Sequence, residues 1–540
     1  MRHPSAVPAR RYASRVAARM GTSKRNRFGP YSIIALPTLA FLLLGWIWAF
    51  ASPPGSAADE NFHLSSIWCA WGPSESCELT SDPAVVLVPE RVAKANCFAL
   101  LGNEDASCTY ELSDWYTPAV TVISSEGQYP PIYHTVMRVF VGPNVNQSVL
   151  VIRMANVALA AGLLALALLV ARPVIRRAVA LAWMVCLVPT GIFFIASVNA
   201  SSWAITGGAL FWAFLHTAST EKSFRTRRAL VALGGAAVCI FIAMGARGDS
   251  FYVLLLSTIA VAIVTWPHLR KRMNRLWLGL LIIPLAAIAW SLNIGLYLNL
   301  NMSFPAGNEE FDQPNALLKM LLELPSFFAG IVGGQGPGWS QRSSSNDGQL
   351  PGFSWTGLAY GVGSLDVQNP EISGLLVLAC VGGAIFLGFR SHGTRKVLAV
   401  LLLSGGLIGQ VVVMRGLAGF QPISAIQPRY VFALVLVIIS FAAISYPRSH
   451  SPVNRGQAIL FITALTIADA AALMATNARF VYGQVHAWTG VSAAPGWWWS
   501  IGPSPLLVTI LGAVVGCVWL IFMARLAMAP TDKAATIGAS

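Results

Sequence analysis

The stretch 31–64 reads YSIIALPTLAFLLLGWIWAFASPPGSAADENFHL, and it changes from apolar to acidic within a few residues. Residues 31–52 form an uncharged apolar run, which is long enough to cross about 30 Å of hydrocarbon as a helix. Eight Lys and Arg residues precede this run, and the acid pair Asp59-Glu60 follows it. The stretch therefore predicts a transmembrane helix that leads from a basic N-terminal tail into an acidic segment across the membrane.

Further apolar runs of similar length follow, so that twelve transmembrane helices are expected in all. They cover residues 31–52, 149–170, 178–196, 202–218, 229–245, 250–266, 276–297, 372–389, 397–413, 430–446, 457–475 and 505–526. The 540 residues are 55% hydrophobic and 11% charged, whereas soluble proteins carry about 25% charged residues. The sequence thus predicts an all-α integral membrane protein. Its net charge of +14 does not indicate a nucleic-acid-binding protein, because so apolar a chain cannot cover a soluble globule.

The basic residues fall in alternate predicted loops. When the N-terminus is placed inside, the inside segments hold 26 of the 36 Lys and Arg residues and two of the 22 acidic residues. Since Lys and Arg collect on the cytoplasmic side, we expect a multi-pass protein of the cytoplasmic membrane with both termini in the cytoplasm. A cleaved signal peptide is the less favoured interpretation of the first helix, because its apolar run is longer than a typical signal core.

This topology predicts three parts. Residues 1–30 form a basic cytoplasmic tail, 31–526 a polytopic membrane domain, and 527–540 a second cytoplasmic tail. The extracytoplasmic loops of the membrane domain are 53–148, here called loop one, 298–371 and 476–504.

Loop one contains half of the eight cysteines, namely Cys69, Cys77, Cys97 and Cys108. Four cysteines in an oxidising compartment suggest up to two disulfides, with three possible pairings. A metal site is the weaker alternative, because the loop has no CxxC pair. We therefore expect a large disulfide-stapled first extracytoplasmic loop.

An acidic motif opens loop one, where Asp59 and Glu60 precede His63. If a helix starts near Asp59, the three side chains share one side at i, i+3 and i+4 spacing. Carboxylates anchored where the chain leaves the membrane can act as a general base on a hydroxyl, or can bind a divalent cation that holds a phosphate. The alternative is structural, with Asp59 as the N-cap of a short helix.

Five short motifs occur in a fixed order along the chain. They are ADENFH (58–63), QYPPIYH (128–134), SVNASSWAITGG (197–208), GVGSLDVQNP (361–370) and IQPRYVFAL (426–434). Together they resemble an uncharacterised family of multi-pass bacterial membrane proteins, and that family resembles the C-type glycosyltransferase superfamily (GT-C). The sequence departs from the family pattern at Pro428, where Gly is commoner, and at Ala200-Ser201, where an acid often follows the Asn.

The resemblance implies a GT-C-like fold and a membrane glycosyltransferase. Such an enzyme transfers a sugar from a polyprenyl-phosphate donor to an extracytoplasmic cell-envelope glycan or lipid acceptor. Asp59, with Glu60, would occupy the place of the acidic catalytic motif, and His63 would orient Asp59 or bind a cation. A divalent cation remains an open possibility, and no other cofactor is implied.

Provisional roles then follow for the remaining residues. Asp59 would take the proton from the acceptor hydroxyl. The leaving phosphate needs positive charge, for which Arg429 is the first choice, with Arg247 and Arg415 as alternatives. The expected substrate-binding residues are Tyr129, Tyr133, Asn199, Asp366 and Tyr430.

Two charges within predicted helices, Asp469 and Arg153, need partners, because ionisable groups in a membrane are costly and usually paired. We expect them to form a structural ion pair, with a proton or cation pathway as the alternative.

Two function classes other than a glycosyltransferase stay open. One is a transporter or flippase of lipid-linked sugars or envelope precursors, and the other is a non-catalytic scaffold or sensor for envelope assembly.

Overall fold

A computed structural model provides the fold of the chain. It describes residues 32–99, 101, 104–113, 115–121, 129–270, 338–339, 353–354, 362, 367, 369–391, 393–417, 427–444, 453–483, 497–499 and 502–529. In chain order the elements are α1 (Ser32–Phe50), α2 (Glu60–Trp68), β1 (Glu78–Leu79), β2 (Val85–Pro89), α3 (Glu90–Ala93), α4 (Cys108–Glu111), β3 (Tyr116–Val120), α5 (Ile132–Met137), α6 (Val145–Val170), α7 (Pro173–Cys186), α8 (Ile192–Ile195), α9 (Ser201–Thr220), α10 (Arg227–Ala246), α11 (Ser250–Arg270), β4 (Gly338–Trp339), β5 (Phe353–Ser354), α12 (Glu371–Phe389), α13 (Thr394–Leu417), α14 (Phe432–Ala443), α15 (Arg455–Tyr482) and α16 (Pro505–Met528). Short 3₁₀ helices cover Arg138–Phe140 and Pro428–Tyr430, and a π-helical segment, Leu187–Gly191, joins α7 to α8.

The described residues contain nine helical segments that are long and apolar enough to cross a membrane. The chain is therefore a mainly helical, multi-pass membrane protein, as the sequence predicted. Two further predicted spans are also helical, as α9 and the short α14. The remaining predicted span, 276–297, lies outside the described residues, so the total of twelve stays a prediction.

Helix α9 lies at the centre of the helical bundle, where it packs against α6, α10, α11 and α14. Nearly every one of its residues is buried. Small residues allow the close approach to α10: a Cβ at Gly207 would lie 2.6 Å from the Cys239 carbonyl oxygen, and one at Gly235 would lie 2.5 Å from the Phe214 ring. A helix packed on all sides needs no lipid-facing apolar stripe, and buried Ser, Thr and His residues occur along α9.

Loop one contains a small β-sheet as well as short helices. Strands β1, β2 and β3 form an antiparallel sheet in which β2 is central, so the chain is not purely α-helical. Disulfides join Cys69 to Cys77 and Cys97 to Cys108. Both predicted disulfides are thus present, and each closes a short local segment of loop one.

Candidate functional site

Asp59 lies between α1 and α2, at the N-cap position of α2. It therefore has the N-cap position that the structural alternative predicted, but its side chain makes no capping hydrogen bond. The backbone has φ 60° and ψ 12°, in the left-handed region, which costs a non-glycine residue of order 1–3 kcal/mol and needs support from its surroundings. The side chain is 33% exposed, and its Oδ2 accepts a hydrogen bond from Nη2 of Arg429 in an ion pair.

Arg429 belongs to the short helix Pro428–Tyr430, and its side chain is completely buried. Its Nη1 donates to the Ala58 carbonyl at 2.6 Å, next to Asp59. Its guanidinium also lies 5.2 Å from the ring centroid of Tyr430 and 5.5 Å from that of Phe194. Burial alone would lower the pKa of Arg429, but the charge of Asp59, followed by Tyr430 and Tyr129, raises it above its usual value. The guanidinium therefore stays charged.

A second guanidinium, that of Arg247, also lies close to the Tyr430 ring. Its centre lies 4.2 Å from the ring centroid of Tyr430 and 5.8 Å from that of Tyr129. Arg247 donates to both carboxylate oxygens of Asp249, at 2.9 and 2.8 Å. Burial opposes its charge, yet Asp249 and the two tyrosines raise the pKa of Arg247. Two cations thus lie near the Tyr430 ring.

His63 is completely buried on α2 and pairs with another histidine rather than with Asp59. Its Nδ1 lies 3.0 Å from Nε2 of His134, and the two rings stack with their centroids 5.3 Å apart. The Tyr129 ring meets the His63 ring edge-on, with the centroids 5.0 Å apart. Burial, then the charges of His134, Arg429 and Arg247, lowers the pKa of His63 well below its usual value. Both the burial and the neighbouring cations keep this imidazole neutral.

Asn199 and Tyr133 are buried residues that border the site on the side of the protein interior. Asn199 Nδ2 donates to the Ala58 carbonyl at 2.7 Å, so that this carbonyl accepts from both Asn199 and Arg429. Tyr133 Oη accepts from Asn156 Nδ2 at 3.2 Å, and its ring packs edge-on against Trp203. Tyr133 is fully buried, so its observed contacts are with the protein interior.

Glu60 is buried completely, unlike its neighbour Asp59. It pairs with Arg153 of α6, whose Nη2 lies 2.9 Å from Oε2. The expected Asp469–Arg153 pair is therefore wrong: Arg153 faces the segment after α1, where Glu60 is its carboxylate partner. Asp469 instead accepts a hydrogen bond from Trp48 Nε1 at 3.1 Å.

The fold brings together four of the five motifs that the sequence analysis singled out. Their residues Asp59, His63, Tyr133, Asn199 and Arg429 form one cluster with Arg247. Asp366, in the remaining motif, lies outside the described residues. Arg415 lies in α13, and its side chain is also outside them.

Three residues without a role predicted from the sequence also belong to this cluster. His134 ends the second motif, Asn156 lies on α6, and Asp249 follows Arg247. The motif itself pointed to His134, but no local pattern marked its pairing with His63. Within the described ranges, no group of three or more His, Cys, Asp or Glu side chains is arranged to hold a metal ion. A divalent cation at this site stays a prediction.

The helices and the charged cluster between their ends define a multi-pass membrane protein with a buried, partly ionic site. Residues 42–438 match the family model described as Predicted membrane protein (DUF2142). Because that match covers most of the chain, the protein belongs to this family of predicted membrane proteins. The matched region includes every residue of the cluster. No curated protein and no solved structure matches the chain.

Proposed function

We propose that this protein is a membrane glycosyltransferase of GT-C type, which transfers a sugar from a polyprenyl-phosphate donor to an extracytoplasmic cell-envelope glycan or lipid acceptor. The observation that carries the proposal is the Asp59–Arg429 pair, in which a partly exposed carboxylate meets a buried guanidinium. Sugar transfer from a phosphate needs a base for the incoming hydroxyl and positive charge for the leaving group. This pair supplies both groups side by side.

In the proposed reaction, the acceptor hydroxyl oxygen forms a bond to the anomeric carbon of the donor sugar. The bond from that carbon to the phosphate oxygen breaks, and its electron pair leaves with the polyprenyl phosphate. Asp59 takes the hydroxyl proton. Arg429 and Arg247 stabilise the charge that develops on the phosphate, since guanidinium groups bind phosphate oxygens through several N–H donors.

Two buried donors in the cluster support an anionic substrate. Nε of Arg429 and Nη1 of Arg247 have no hydrogen-bond partner among the described residues. A buried donor without a partner carries a desolvation cost of about 1–3 kcal/mol, and more for a charged group. Phosphate oxygens would offset that cost by accepting hydrogen bonds from these N–H groups, whereas the acceptors of a neutral substrate would offset less of it.

The test is transfer of a radiolabelled sugar from its polyprenyl phosphate to a crude envelope acceptor by the purified protein in lipid nanodiscs. We expect Asp59→Asn to lower the rate about 100-fold or more, because loss of a general base has effects of that size. The matched control is Glu90→Gln, which changes a carboxylate of loop one that contacts Lys94 and Ser113 instead of the cluster. Equal transfer by Asp59→Asn and wild type would contradict the assigned base.

One observation favours transport as a second candidate function. Asp469 is completely buried in α15, and its Oδ2 has no partner among the described residues. A buried acid inside a membrane helix is a common feature of proton and ion pathways. If labelled lipid-linked sugar crosses a proteoliposome membrane with no transfer, and Asp469→Asn stops the crossing, the protein is a flippase or transporter.

A further inference from the structure

Arg153 holds the segment that joins α1 to α2. Its Nη1 donates to the carbonyls of Ala49 at 3.0 Å and Ser52 at 2.7 Å, and its Nη2 donates to that of Pro53 at 2.8 Å. Its Nη2 also contacts Ser56 Oγ at 3.2 Å. One buried guanidinium thus fixes four successive points of the chain between the end of α1 and the start of α2.

Glu60 completes this arrangement from the other end of the segment. Both of its carboxylate oxygens accept from Arg153. Oε2 also accepts from the Ala57 amide at 3.0 Å, and Oε1 accepts from the Val198 amide at 2.9 Å. Glu60 is 0% exposed, and these bonds occupy its oxygens. It therefore has neither access nor acceptor capacity for a substrate hydroxyl.

Asp59 is the only non-glycine residue with a positive φ in the part of the chain that the structure describes. The left-handed backbone turns consecutive side chains in different directions, so Glu60 faces Arg153 while Asp59 faces Arg429. This conformation is unfavourable for a non-glycine residue by about 1–3 kcal/mol, so contacts around it must support it. Here the imposing contacts are those of Glu60 and Arg153 on one side and the two donors to the Ala58 carbonyl on the other.

We propose that Glu60 and Arg153 are positioning residues, which hold the segment 49–60 so that Asp59 keeps its left-handed backbone and presents its carboxylate to Arg429. The inference rests on the proposed function only for the part that Asp59 plays in sugar transfer. It assigns Glu60 to the support of the acidic motif rather than to its chemistry.

The test must separate positioning from stability, because removing one member of a buried ion pair leaves an unpaired charge that destabilises the fold. The neutral double variant Glu60→Gln/Arg153→Met has no such charge, and Glu60→Asp keeps the charge but shortens the side chain. For both we expect intact disulfides and a monodisperse protein in detergent. If the pair acted through stability alone, the surroundings of residue 59 would be the same in the neutral variant as in the wild type.

The direct readout is the charge that surrounds position 59. A thiol is introduced by Asp59→Cys in a Cys517→Ser background, since the three other free cysteines are buried. Its reaction rates with an anionic and a cationic methanethiosulfonate reagent are then compared. Beside Arg429 and Arg247 we expect the anionic reagent to react faster by about tenfold or more. Adding the neutral double change, or Glu60→Asp, should bring the ratio toward one.

The matched control adds Glu90→Gln to the same background, and the ratio should stay that of the parent. An unchanged ratio in both Glu60 variants would overturn the positioning role. The result is independent of sugar transfer. A wild-type protein that transfers no sugar contradicts the proposed function and leaves the labelling test intact, whereas a transferring protein with an unchanged ratio contradicts only the positioning role.

Discussion

At the scale of single residues, the left-handed backbone at Asp59 places the adjacent side chains of Asp59 and Glu60 in different environments. The Asp59 side chain is 33% exposed and pairs with a residue of the Pro428–Tyr430 helix, whereas Glu60 is 0% exposed and pairs with α6. A fully desolvated carboxylate with all its oxygens occupied can orient the chain but cannot exchange protons with a substrate. The partly exposed neighbour is the one that remains able to do chemistry.

The buried histidine pair makes stability depend on pH. Burial lowers the pKa of His134 to about 3, from an ordinary value of 6.5, and lowers that of His63 as well. These histidines therefore become protonated near pH 6.5 in the unfolded chain but stay neutral in the folded protein. The free energy of unfolding is highest above that pH and declines as the pH falls below it. We expect the melting temperature to drop between about pH 7 and pH 5.

The variant His63→Gln/His134→Gln tests the source of this dependence. It lacks both groups, so its melting temperature should change less over the same pH range than that of the wild type. The other histidines remain in both proteins and serve as an internal control. Equal slopes in wild type and variant would contradict the assignment.

At the scale of elements, one arginine fastens loop one to the end of α15. Arg479 Nη1 donates to the Glu104 carbonyl at 2.7 Å, and its Nη2 donates to that of Phe98 at 3.0 Å. We expect Arg479→Met to weaken this attachment by about 1.5–3 kcal/mol for each lost charged hydrogen bond. Limited proteolysis should then cut loop one faster while both disulfides stay closed. Arg91→Met, which removes a contact inside loop one, is the control and should leave α15 attached.

The membrane helices were predictable because length and apolarity are local properties of the sequence. The sheet of loop one was not, since its strands have only two to five residues and β2 pairs with β3 across a stretch that contains α3 and α4. The run Trp497-Trp498-Trp499 is a further example, because Trp498 and Trp499 are buried and Trp499 Nε1 donates to the Phe50 carbonyl at 2.9 Å. Composition alone does not distinguish an interfacial indole from one that packs under a loop.

The residues of the site were predictable as motifs, but their partners were not. Glu60 and Arg153 are 93 positions apart, and Asp59 and Arg429 are 370 apart. Arg153 and Asp469 were expected to pair because both are charged residues in predicted helices. Which buried charge meets which is decided by helix packing and by the left-handed backbone at Asp59, and neither is visible in local sequence.

At the scale of the whole molecule, the charge distribution predicts how the chain lies in the membrane. The segments expected inside carry 26 basic and two acidic residues, and the rest of the chain carries 10 basic and 20 acidic residues. Because Lys and Arg are retained on the cytoplasmic side, the net charge of +14 is an orientation signal rather than a surface for nucleic acid. We expect loop one outside and the turn between α9 and α10 inside.

Two exposed serines allow a direct measurement of this orientation, namely Ser81 in loop one and Ser223 between α9 and α10. In the Cys517→Ser background, a membrane-impermeant maleimide applied to intact cells should label Ser81→Cys, and should label Ser223→Cys only after the membrane is permeabilised. Labelling of both thiols in denatured protein controls for expression. The reverse pattern would place the acidic motif in the cytoplasm. The Asp59–Arg429 pair would then face nucleotide-activated donors instead of an extracytoplasmic acceptor, and the proposed reaction would lose its compartment.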